Sequence, residues 1–513
     1  MRSRVAATLV LAATLAVAAC GGGGGGGAPA PGNGDQPYFD PTIYSSSPGA
    51  SLAAAGEGGA RTHHQMTLRG NTVDYTAVAA HLAARDLTSG ADEASIFYVA
   101  YTLDNQDAAT RPITFFYNGG PGSATVWLHL GSFGPKRLVT GDPGTNAPTP
   151  FPLVDNQETL LDISDLVFVD AVGTGYSQAI APNNNQTFWG VDQDARVFRD
   201  FVIRYLTVNG RLASPKFLFG ESYGTTRSAV LADMLETAGV QLAGVVLQSS
   251  VLNYNSNCGV VTLALGCAGY VPSYGAIGAY FDLANPAPAD PVAYAQQLRA
   301  FTANTYAPAD ATYLASHTLP AAGVLNQLQG FTGIAVSLWT TNFNLDPATF
   351  QQRLLLGQLI GRYDARVTAP VGSALASQGD PSSTFISGQF TAAIGGYLGN
   401  SLQYTNASTY VVGSSAINTW DFSHDQNPLP DTIPDLAAAL AQNPNLKVLS
   451  LNGYHDLATP FYQTELDLAR LGGPGNLTLR FYAGGHMTYL DDVSRPSERA
   501  DLGSLYQSAS VTR

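Results

Sequence analysis

Residues 216–224 read KFLFGESYG, an apolar run that stops at Gly220-Glu221-Ser222-Tyr223-Gly224. A serine displayed between glycines at the top of a tight turn is placed to attack a carbonyl carbon. Its hydroxyl is a poor nucleophile until a base takes the proton, and that base needs a carboxylate to orient it. Two later stretches supply both. KVLSLNG (447–453) leads into Tyr454-His455-Asp456-Leu457-Ala458-Thr459-Pro460, and LTLRFY (477–482) leads into Ala483-Gly484-Gly485-His486-Met487. Ser222 is therefore the candidate nucleophile, His486 the base and Asp456 the orienting acid. Of eight histidines, His486 alone follows an apolar run through glycines near the C-terminal end. His455, beside the acid, reads as a wall or pocket residue. His63, His64, His81, His129, His317 and His424 read as structural or surface groups. The oxyanion formed on attack needs N–H donors: one from Tyr223, and one from an earlier loop, for which Asn118-Gly119-Gly120-Pro121-Gly122-Ser123 is the candidate.

These residues must be held at the ends of strands. Short runs rich in Val, Ile, Phe and Tyr recur at 95–101, 113–118, 165–171, 216–220, 244–250, 447–453 and 477–482, as buried strands do. Helical periodicity lies between several of them, at Asp192 to Leu206 and Ser228 to Ala238. Alternation of this kind predicts an α/β fold, a mostly parallel sheet with helices on both faces. The order Ser, Asp, His after successive strands is that of an α/β-hydrolase. From about Asn255 to Asn400 the rhythm fails, with helical pieces at 289–306 and 346–363, which predicts a largely helical cap inserted over one edge of the sheet. The expected organisation is a core in two parts, 75–254 and 401–513, around a cap at 255–400. Before Asp74 the chain reads as tether and irregular approach.

The N-terminus reads as an export signal. MRSR and an apolar stretch end at Cys20, so residues 1–19 are a signal peptide that resembles those of bacterial lipoproteins, with Cys20 the lipidated residue. Seven glycines, Gly21 to Gly27, open a flexible tether over 20–37. This predicts a cell-envelope protein held to a membrane by a lipid anchor. Outside the reducing cytosol, Cys258 and Cys267, bracketing eight residues, are expected to form a disulfide. The formal charge of −14 and only three lysines exclude nucleic acid as the natural partner. No clustered His/Cys motif suggests a metal, and no cofactor is expected.

NGGPGS, VDAVGTGYS (169–177), GESYG, GYHDLATP and GGHM, in this order and spacing, resemble the serine carboxypeptidase family of α/β-hydrolases. The resemblance covers roughly 95–255 and 445–490. It implies that Glu221 and Asn118, with the Gly119 N–H nearby, hold the terminal carboxylate of a peptide, and that the Gly120 and Tyr223 N–H groups form the oxyanion hole. Two carboxylates within hydrogen-bond distance cannot both ionise cheaply, so Glu221 would have to be protonated. Peptides with a free C-terminus are the implied substrates. The chain departs from the family pattern at Phe116, Ser123, Ala171 and Thr225; Phe116 stands where an indole donor is frequent. Alternatives that share the triad are an acyltransferase or an esterase, and, in another class, a catalytically silent peptide-binding protein.

Overall fold

The computed structural model describes residues 34–260 and 265–510. The expected signal peptide, Cys20 and the glycine tether lie outside them.

Nine strands build the main sheet: β1 (Gly59–Leu68), β2 (Asn71–Arg85), β3 (Asp92–Leu103), β4 (Ile113–Tyr117), β5 (Asp165–Val169), β6 (Lys216–Glu221), β7 (Gly244–Gln248), β8 (Lys447–Gly453) and β9 (Leu477–Tyr482). Their order across the sheet is β9-β8-β7-β6-β4-β5-β3-β2-β1, with the two-residue strand Gln178–Ala179 paired beside β3. From β9 to β5 every pairing is parallel, and from β5 to β1 every pairing is antiparallel. This is the α/β-hydrolase fold, a mixed sheet that is parallel from β9 to β5. All seven apolar runs read as strands are strands.

Alternation along each central strand feeds two cores. Ile113, Phe115 and Tyr117 of β4 and Leu218 of β6 pack with α2 (Val191–Val208) and α3 (Tyr223–Thr237). Phe116, Phe217 and Phe219 point the other way, toward α1 (Val126–Gly131) and the C-terminal helix, whose Tyr506 stacks on Phe217 at 4.1 Å. Every residue of β4 and β6 is buried, as both faces of a helix-covered sheet must be.

The sheet begins earlier than the sequence suggested. Residues 59–85 form an antiparallel hairpin, turning at Arg69 and Gly70, both at positive φ (47° and 84°). β1 buries alternate residues (Ala60, Thr62, Met66, Leu68), but its polar composition disguises the pattern. β2 is alanine-rich, which argues weakly for a strand.

The insertion over residues 255–400 carries seven α-helices among the described residues: α4 (Val271–Tyr280), α5 (Pro291–Phe301), α6 (Ala307–Ser316), α7 (Ala322–Thr332), α8 (Val336–Thr341), α9 (Pro347–Arg353) and α10 (Pro381–Gly396). They enclose a core of their own around Tyr274, Tyr306, Leu328, Trp339 and Phe350. The helix read over 346–363 stops at Arg353: Gly357 takes φ 74° and Gln358–Ile360 pairs as a strand with Thr368–Pro370. Cys258 and Cys267 are disulfide-bonded, with Cα atoms 5.5 Å apart. After the insertion come α11 (Ile433–Gln442), α12 (Phe461–Ala469) and α13 (Arg495–Ser510). No helix among the described residues is long and apolar enough to cross a membrane.

Candidate active site

The end of β6 turns straight into α3, and Ser222 sits at the corner with φ 58° and ψ −127°. A non-glycine residue held there is strained, and the surroundings enforce it. The Ser222 N–H donates to the Gln248 carbonyl at 3.0 Å. A side chain at Gly220 would put its Cβ 2.2 Å from the Gly224 oxygen, so glycine is required there. The corner lifts the serine off the sheet and leaves the Tyr223 N–H, first in α3, without an intrahelical acceptor.

His486 follows β9 and Asp456 follows β8. The Asp456 carboxylate, fully buried, accepts from Ala458 N (2.7 Å) and Thr459 N (3.0 Å) on Oδ1. Its Oδ2 takes the Thr459 hydroxyl (2.7 Å) and His486 Nδ1 (2.8 Å). That bond leaves His486 Nε2 as the nitrogen available to Ser222. The two side chains face one pocket without a direct hydrogen bond, a contact that commonly tightens only with substrate bound. Burial disfavours the imidazolium, but Asp456 and the nearby Glu221 more than offset it, so the His486 pKa lies above its ordinary value.

The loop after β4 packs directly on this corner. A Cβ on Gly119 would stand 2.5 Å from Tyr223 N and 2.6 Å from the Glu221 carbonyl; only glycine permits that approach. Gly119, Gly120 and Tyr223 thus meet beside the serine. Asn118 accepts from Leu128 N on Oδ1 (3.0 Å) and is fixed at its carbonyl by Arg227 Nη1 (2.8 Å). Its amide NH₂ is left to face Glu221. The Glu221 side chain is buried, and Tyr489 Oη donates to its Oε2 at 2.5 Å. Burial pushes its pKa up to about 7, against His486, Tyr489 and Asn118, which favour the ionised form; the Asp456 charge adds to the rise.

One pocket of about 120 Å³ collects Asn118, Gly119, Gly120, Glu221, Ser222 and His486, closed by Trp127, Met487 and the cap residues Tyr363, Ser383 and Ile386. The cap thus reaches over the carboxyl ends of the central strands. His455 is elsewhere: its Nδ1 is bonded to the Ala483 carbonyl at 2.5 Å, its ring packs on Tyr280, and burial lowers its pKa to about 4. Phe116 lies stacked between Phe168 and Phe219 in the core.

Sequence reasoning missed several supports. Thr459, three residues after Asp456, bonds both Asp456 and the imidazole (3.1 Å to Nδ1). Ser249 Oγ and Gln248 Nε2 hold the His486 carbonyl at 2.6 and 3.2 Å. The His486 N–H donates to Tyr363 O at 2.6 Å, and the Tyr363 ring lies 4.8 Å from the imidazole. Only Thr459 could have been found, as a hydroxyl spaced to close a turn on the preceding acid.

A model of the serine carboxypeptidase family matches residues 81–260. No curated protein sequence matches the chain. Among solved structures, the Kex1 prohormone-processing carboxypeptidase from Saccharomyces cerevisiae superposes with a TM-score of 0.51 at 16% identity, covering 84% of this chain and 91% of that one. A proline iminopeptidase from Mycobacterium smegmatis aligns at 15% identity and a TM-score of 0.39, over 84% of this chain and 99% of that one. The fold and the matched segment are those of a hydrolase.

Proposed function

We propose that this chain, which resembles the serine carboxypeptidases and matches their family model over residues 81–260, releases C-terminal amino acids from peptides by a Ser222–His486–Asp456 acyl-enzyme mechanism. The observation that carries this reading is Glu221. A buried carboxyl with a pKa near 7 stands beside the nucleophile, with Asn118 next to it and Tyr489 occupying only Oε2. Its other oxygen can carry a proton and donate it to a carboxylate, as few pocket groups can.

In the first half-reaction His486 Nε2 takes the Ser222 proton while Oγ attacks the last peptide carbonyl. The oxyanion is met by the Gly120 and Tyr223 N–H groups, at the positive end of α3. Collapse expels the terminal amino acid, whose nitrogen receives the proton from His486. Water, deprotonated by His486, then attacks the ester, and Ser222 recovers its proton. Asp456 fixes the imidazole tautomer and stabilises the imidazolium between the two transfers.

The test is an N-blocked dipeptide assayed as free acid, amide and ester, with Ser222→Ala as control. Preference for the free acid, lost in the control, supports a carboxypeptidase. Ester cleavage without peptide cleavage would replace it with an esterase or acyltransferase. No turnover with any substrate would leave a binding protein. We further propose that the enzyme is anchored in the cell envelope through Cys20, a reading that rests on the N-terminal sequence. Metabolic incorporation of labelled palmitate, abolished by Cys20→Ala, is the expected result; an unlabelled protein would refute it.

A further inference from the structure

Away from the catalytic pocket, three carboxyls from three separate elements converge. Asp86 lies in the turn after β2, Glu93 on β3 and Asp200 on α2, and one oxygen of each lies within 4.8 Å of the others. Glu93 and Asp200 are buried, at 7% and 1% exposure. Glu93 Oε2 and Asp200 Oδ2 accept no hydrogen bond from any N–H or O–H group. The outer oxygens are occupied: Arg199 holds Asp200 Oδ1 at 2.7 Å, and Arg196 stands 3.6 Å from Glu93 Oε1. Three carboxylates against two guanidiniums leave the cluster with one negative charge in excess.

Two buried carboxylate oxygens facing one another without a donor need something positive between them. A proton shared between the two is one solution: burial, the Asp200 charge and a hydrogen bond to Asp200, against Arg196, push the Glu93 pKa up to about 7. A hard cation is the other. Calcium takes oxygen ligands at about 2.3–2.6 Å in flexible geometry, so oxygens up to 4.8 Å apart can ligate a single ion. Asp86, on the surface side, leaves room for water to complete the shell, and the all-oxygen donor set excludes the softer transition metals.

We propose that Asp86, Glu93 and Asp200 form a divalent-cation site, for calcium, that ties the turn after β2 to α2. None of the three lines the catalytic pocket. With two arginines close by, affinity falls in the weak range of about 10⁻⁴–10⁻³ M.

Equilibrium dialysis of the full chain against radioactive calcium reads this directly, alongside thermal unfolding with calcium or with chelator. One ion is retained per chain and Tm rises with calcium; Asp200→Asn and Glu93→Gln weaken retention at least tenfold and flatten the Tm response. Asp86→Asn, at a more exposed position, serves where the buried variants fail to fold, and it weakens retention in the same direction. Saturable retention lost in Asp435→Asn but not in Asp200→Asn would place the ion on the separate group of His424, Asp425 and Asp435, whose ligand atoms also lie within 4.8 Å of one another, and overturn the proposal. So would a folded protein that retains no calcium, its Tm falling as pH rises through neutrality with or without the metal; the pair would then share a proton.

Discussion

On the proposed carboxypeptidase reading, Glu221 sets the pH dependence of substrate capture. Its pKa near 7 lies above the ordinary carboxyl value of about 4.3. The protonated form, which the proposed function requires for binding a carboxylate, is therefore complete in acid and disappears as pH rises through about 7. KM for a free-acid dipeptide should climb across that range in the wild type and stay flat in Glu221→Gln, as steady-state kinetics on both would record. Folding stability follows the same sign: the native state holds the extra proton, so stability contributed by Glu221 is full below about pH 4.3 and is lost through about pH 7. Tyr489 favours the ionised form by donating to it. Tyr489→Phe should therefore shift the rise in KM to higher pH, and a shift to lower pH would contradict the assignment. Because Glu221 and His486 feel one another's charge, the limbs of the rate profile belong to the pair.

At the scale of elements, the serine corner depends on a buried ion pair. Arg227, fully buried on α3, donates to Asp194 of α2 at 2.7 and 3.2 Å and to the Asn118 carbonyl at 2.8 Å, with its guanidinium over the Phe198 ring. Arg227→Met would strand a buried carboxylate, a loss of about 3–5 kcal/mol, measurable by denaturant titration. It would also release the loop that carries Asn118 and Gly120, so kcat/KM should fall further than stability alone requires. Much at this level was legible in advance. An apolar run ending in GESYG announces strand, corner and helix together, and NGGPGS announces a loop that must approach another backbone. Arg227 was not legible, because its partners Asp194 and Asn118 lie 33 and 109 residues away and nothing local marks an arginine as buried. The hairpin at 59–85 was missed for a different reason: Thr, His and Gln facing solvent on one side hide an alternation that only the buried face reveals.

For the molecule as a whole, charge is spent on joining distant segments. His424 bonds Asp192 at the start of α2 (2.6 Å) and Asp435 at the start of α11 (2.9 Å), and these two carboxylates raise its pKa to about 10. The clamp is complete below the imidazole's free value of about 6.5 and dissolves as pH rises through about 10. Wild-type Tm should therefore fall more between pH 7 and 10.5 than that of His424→Gln; equal falls would show that the clamp carries no stability. Arg366, held by its neighbour Asp364 in the cap (2.6 Å), reaches two distant segments, at Asp491 after the His486 loop (2.7 Å) and at Asp142 (3.1 Å).

The cap segment around Arg366 also threads between the loops that carry Asp456 and His486. Leu457 N donates to Arg362 O at 3.0 Å, Ala365 N to His455 O at 3.1 Å, and His486 N to Tyr363 O. Gly485 has no room for a side chain, since a Cβ there would lie 2.4 Å from the Tyr363 oxygen. The insertion is thus no detachable accessory: trimming the chain to its sheet and flanking helices would remove the acceptor on which the backbone of the candidate base His486 leans. A minimal version of this enzyme has to keep residues 362–366 even if every helix from α5 to α8 is discarded.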